Sequence, residues 1–155
     1  MKTKKKTFNV QRSTFNIQWI GVREEEPHYG RRESNAVRQK FDLEDRLLEF
    51  ATRLTKLVDA LPNSRTGNHV GGQLLRCGTS PFAHHGEVQA AESRKDFIHK
   101  LGVCLKELKE VRRWLRFIVR VELVPIQRLR PLLIEDEELI RIFVASIRTA
   151  EKNVK

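Results

Sequence analysis

The chain has 155 residues, enough for one domain with its own core and too few for two. Thirty Lys and Arg against twenty Asp and Glu give a net charge of +10, which points to an anionic partner, nucleic acid before any other. No apolar run approaches the roughly 20 residues that cross a bilayer, so no membrane-spanning helix is expected.

Residues 1–40 differ from the rest. They carry ten Lys and Arg against four Asp and Glu, and no helical apolar period. Phe15, Ile17 and Trp19 alternate as a strand would, but a lone strand has nothing to pair with. This segment is read as a basic extension, disordered or loosely docked, with Phe15, Trp19 and Ile20 as the anchors if it docks. Its first lysines would suit a signal peptide, but no apolar segment follows them, and a cytoplasmic protein is expected.

Residues 41–155 read as the folded unit. The first helix opens near Phe41, with Asp42 as N-cap and Glu44 and Asp45 at the positive end of its dipole. Leu43, Leu47, Phe50, Leu54, Leu57 and Leu61 form its apolar stripe, and Pro62 ends it. A second helix is expected from Gly67 or Asn68, with Val70, Leu74, Cys77, Pro81, His84, Val88 and Ala91 on one line. Pro81 either kinks this helix or, capped by Ser80, splits it; the unbroken apolar phase favours one kinked helix.

Ser93, with Asp96 three residues later, resembles a capping box and opens the third helix after a connection that permits only an antiparallel hairpin. Phe97, Leu101, Cys104, Leu108, Val111, Leu115 and Ile118 repeat at 4,3 spacing as far as Val121, and no strand reading survives that pattern. A fourth helix is expected from Pro131 to near Lys152, burying Leu132, Leu133, Leu139, Ile140, Phe143, Val144 and Ile147. Its acidic run, Glu135 to Glu138, would fall in the first two turns as a solvated face. Four such stripes bury one another in an all-α, antiparallel up-down-up-down four-helix bundle.

Cys77 and Cys104 make no disulfide framework and have no metal-ligand company. Their places on apolar stripes predict buried free thiols. His69, His84, His85 and His99, with Glu87 and Asp96, are the residues a metal or catalytic site would recruit, yet no H-x-x-x-H or H-E-x-x-H spacing occurs. With no phosphate loop, no nucleophile elbow and no paired carboxylates in an apolar setting, neither an enzyme nor a cofactor nor a metal is expected.

The suggestive feature is a second stripe on the third helix. Lys106, Lys109, Arg113, Arg116 and Arg120 are spaced 3,4,3,4, centred about 140° from the apolar stripe. Such a row can track phosphates without selecting sequence, and Arg112, Arg128 and Arg130 would enlarge it. The competing account is a solvated face held by pairs such as Lys106 and Glu110.

The runs GlnLeuLeuArgCysGlyThrSer at 73–80, GluValGlnAlaAlaGluSerArgLysAspPheIleHisLysLeu at 87–101 and LysGluLeuLysGluValArgArgTrpLeu at 106–115 carry a family resemblance. From about Phe41 to Asn153 the chain resembles the four-helix-bundle proteins encoded by intervening sequences in large-subunit ribosomal RNA genes, relatives of the accessory variability proteins of diversity-generating retroelements. The resemblance implies an antiparallel bundle, often a homopentameric ring, without known enzymatic activity. In the retroelement branch it implies a basic surface associated with nucleic acid and a reverse transcriptase. Between Ser80 and Val88 the chain departs from that pattern: Gly86 stands where an arginine is common, and His84 replaces an asparagine on the core stripe, where a polar residue can fix register or oligomer state. Two functions follow: a non-catalytic oligomer binding nucleic acid, RNA foremost, or a scaffold whose assembled surface binds a protein such as a reverse transcriptase.

Overall fold

A computed structural model describes residues 43–152, so the reading of residues 1–40 and the proposed cap at Asp42 lie outside the described residues. Four helices follow in order: α1 (Leu43–Asp59), α2 (Arg65–Gln89), α3 (Arg94–Arg120) and α4 (Ile126–Lys152), with no strand among the described residues. Each packs on its neighbour in the chain, and α1 closes the ring against α4 along the thinnest seam. This is the up-down-up-down bundle that the four stripes require. No described helix is long and apolar enough to cross a membrane.

The stripes meet as expected along α1, α3 and most of α4. Leu47, Phe50, Leu54, Leu74, Leu101, Leu108, Leu115, Ile118, Leu139 and Phe143 are all buried in one core. Cys77 and Cys104 are buried free thiols inside it, and burial pushes both up to about 12. The helix α2 runs unbroken through Pro81 and is not split there.

Four details of the sequence reading are corrected. First, α2 begins at Arg65 rather than Gly67, because Ser64 is the N-cap and its hydroxyl accepts the Gly67 N–H at 3.0 Å. The α1 helix correspondingly stops at Asp59, and the next two residues tighten into three-residue turns, with Ala60 N–H donating to Leu57 and Leu61 N–H to Val58.

Second, the buried histidine of α2 is His85, while His84 is half-buried with its Nδ1 2.8 Å from the Ser80 hydroxyl. The cause is a second buried line of α2, composed of glycines that no count of apolar side chains registers. Gly71 and Gly78 are buried seven residues apart, and His85 lies seven further on, on the same line. A Cβ on Gly78 would sit 2.6 Å from Leu54 Cδ1 of α1, so the absent side chain is what lets the two helices approach.

Third, α4 starts at Ile126, not Pro131. The Pro125 carbonyl accepts the Arg128 N–H at 3.0 Å and opens the first turn, leaving Pro131 inside the helix without an N–H to donate. Fourth, the acidic run therefore sits well inside α4 and is solvated only in part: Asp136 is buried, Glu135 and Glu137 are half-buried, and Glu138 is exposed. Arg46 of α1 grips Glu135, with Nη2 to Oε2 at 3.2 Å, and also binds Glu138, a clamp across the thin α1–α4 seam. Asp136 is fully buried, and neither of its carboxylate oxygens has a hydrogen-bond partner among the described residues.

Helix α3 begins as its sequence indicates. The Ser93 hydroxyl accepts the Asp96 N–H, and the Asp96 carboxylate accepts the Glu92 N–H, both at 3.2 Å. It ends in a Schellman motif, Leu123 N–H donating to the Ile118 carbonyl and Glu122 N–H to the Val119 carbonyl. The left-handed position is filled by Glu122, at φ 53°, where glycine would carry no Cβ penalty.

Candidate nucleic-acid interface

Burying 101, 104, 108, 111, 115 and 118 fixes the rotation of α3, and that rotation alone turns the basic stripe outward. Lys106, Lys109, Arg113, Arg116 and Arg120 are all exposed, and none forms an ion pair with a described residue. From Lys106 to Arg120 the row spans about 21 Å of helix.

The row is unpaired because the carboxylates that might have neutralised it are engaged elsewhere. Arg76 of α2 binds Glu110 and lies 3.5 Å from Glu107. Glu110 also accepts the Trp114 indole N–H at 3.3 Å. The Arg76 guanidinium holds the Glu110 carboxyl below the usual carboxylate range. The expected Lys106–Glu110 pair is accordingly absent from the ion pairs among described residues.

The three arginines added to the row from sequence go to three different places. Arg112 points at α4, its Nη2 2.5 Å from Glu137 Oε2, and so belongs to the α3–α4 seam. Arg128 is carried around to the α1 side, lining a cleft with Arg53 and Lys56. Arg130 lines a shallow cleft of α4 with Leu133, Ile134 and Glu137, a lining that includes none of the row's residues.

The structure adds a cleft to the row that the charge pattern did not indicate. Between α3 and the start of α4, Arg113, Arg116 and Arg120 border a shallow, open cleft of about 550 Å³ whose apolar floor is Phe117, Val119, Ile126 and Leu133. Phe117 stays 40% exposed although it belongs to a folded helix. Its ring packs edge-to-face with Trp114 at 6.0 Å, and Trp114 in turn with His69 of α2 at 5.9 Å. The sequence signal for this was present in Arg113–Trp114–Leu115–Arg116–Phe117, where aromatic and basic residues alternate, but the α4 wall depends on where α4 starts.

Of the histidines, His69 packs against Trp114, His84 meets Ser80, His85 is buried and His99 is exposed. Among the described residues no three His, Cys, Asp or Glu side chains gather as a metal site would need.

Residues 39–145 match the model of the family described as 23S rRNA-intervening sequence protein. Among solved structures, a protein of unknown function from the S23 ribosomal protein family of Bacteroides thetaiotaomicron is 33% identical, with a TM-score of 0.64 over 68% of this chain and 97% of that one. No curated protein matches the chain.

Proposed function

Because the chain belongs to the 23S rRNA-intervening sequence protein family, and because its fold leaves a row of cations unpaired, we propose that it is a non-catalytic nucleic-acid-binding protein acting in the cytoplasm. The observation that carries this reading is the exposure of Lys106, Lys109, Arg113, Arg116 and Arg120 without ion pairs to described residues. Five like charges held in one row repel one another, and a bound polyanion would relieve that repulsion. Each phosphate contact releases condensed counterions, so the affinity is sequence-tolerant and steeply salt-dependent.

RNA is the preferred ligand, on the strength of the family's link to ribosomal RNA genes. Self-association into a ring, a homopentamer by the resemblance, would multiply the row; exposed Val121 and Ile134 are surfaces for such contacts. The test is binding of a structured RNA to the full chain at rising salt. Changing Arg113, Arg116 and Arg120 together to Ala should weaken binding uniformly across sequences and reduce the salt slope by roughly three. An affinity indifferent to salt, or to the triple change, refutes the reading. Recovery of a protein partner after nuclease treatment, with no RNA bound, would favour the scaffold reading instead.

A further inference from the structure

We infer that the cleft between α3 and the start of α4 receives an unpaired nucleobase, so that the nucleic acid is bound there as a single strand. The inference rests on the reading of the α3 row as a phosphate track and adds the form of the ligand.

Two observations lead to it. The basic row does not end on a uniformly polar surface: at Arg113, Arg116 and Arg120 it borders a cleft walled by Phe117, Ile126 and Leu133. Duplex nucleic acid presents phosphates and sugars outward and keeps its bases stacked within, so it would satisfy the arginines and leave the apolar wall in water. An unpaired strand offers both chemistries at once, a charged backbone for the guanidinium rim and a flat apolar ring for the wall. The cleft is shallow and open on its outer side, and at about 550 Å³ it is broad enough for one base to lie against its apolar floor.

The second observation is that Phe117 is braced. Its edge-to-face contact with Trp114, and that of Trp114 with His69, tie the exposed ring back to α2. A ring held in place before the ligand arrives loses little rotamer freedom on stacking, which favours a stacking platform over a loose apolar side chain. An acidic peptide would also meet the arginines, but the row of cations continues for about 21 Å along α3, a length that suits an unbroken polyanion.

The test is fluorescence anisotropy on the full chain with four probes at about 0.1 M salt. They are an unpaired DNA strand of about 20 nucleotides, its RNA counterpart, an abasic strand of equal length, and a duplex. The two base-bearing strands should bind about ten-fold tighter than the abasic strand and the duplex. Phe117→Ala should remove that ten-fold preference and leave duplex affinity unchanged, whereas Phe117→Trp should retain it; the α-helical circular dichroism of each variant verifies folding. Equal affinity for the abasic strand, or a Phe117→Ala variant that discriminates as wild type does, overturns the inference while the phosphate track stands. Polyglutamate competing as well as the strands overturns it in favour of an acidic protein. Absence of binding to all four probes removes the phosphate reading as well.

Discussion

Changing the buried Asp136 to Asn should stabilise the protein at alkaline pH and leave it nearly unaffected at acid pH. The Asp136 side chain is wholly shielded from solvent, and its oxygens lack hydrogen-bond partners among the described residues. Burial pushes its carboxyl from an ordinary 3.8 up to about 7, against the pull of Arg112 and with help from neighbouring Glu137. In the unfolded chain the group loses its proton near pH 4, whereas in the bundle it holds the proton until about pH 7. Between those values unfolding releases a proton, so stability falls as pH rises. Below pH 4 both states are protonated and the term vanishes.

At roughly 1.4 kcal/mol per pH unit, the full effect above pH 7 is on the order of 4 kcal/mol, an upper bound once local relaxation is allowed. Asn has the same shape and no charge, so it recovers most of this at pH 8 and almost none at pH 4. Urea unfolding followed by circular dichroism should therefore give a midpoint about 1 to 2 M higher for the variant at pH 8 and nearly coincident midpoints at pH 4. Other titrating groups cancel in the difference between the two proteins. A difference that stays constant from pH 4 to pH 8 would refute the assignment of the buried proton to Asp136.

Three further outcomes are expected. Gly67→Ala should destabilise the protein by at least about 2 kcal/mol in thermal or urea unfolding, because a Cβ there would lie 2.0 Å from the Pro62 carbonyl oxygen, a backbone atom that cannot swing aside. Glu122→Gly should raise stability by about 0.5 to 1 kcal/mol in the same assay, since it relieves the left-handed backbone at the end of α3. Cys77 and Cys104, buried with thiols pushed up to about 12, should resist a thiol reagent at pH 8 and react at once in denaturant.

How far each feature was legible depended on whether it belongs to one helix or to two. The apolar line of α3 predicted its burial from Leu101 to Ile118, with Phe97 only half-buried, and the Ser93 and Asp96 cap was visible as a pair of types at fixed spacing. The apolar line of α2 points to His84, whereas the buried residue is His85, because Gly71 and Gly78 pack by having no side chain and leave no apolar mark on that line. Pro131 misled in the same manner: proline suits a first turn, but Pro125 and Ile126 had already opened the helix, and the acidic run moved into the bundle with it.

The order of residues by itself determined four helices, one core, two buried thiols and a row of cations on the outer side of α3, since periodicity along a single element decides each of these. Only the tertiary structure decided which charges stay open. Arg76 removes Glu107 and Glu110 from the row, Glu137 draws Arg112 into a seam, and α4 completes an apolar wall beside Phe117. Those outcomes depend on how one helix is rotated and shifted against the next, and no spacing within a single helix encodes that.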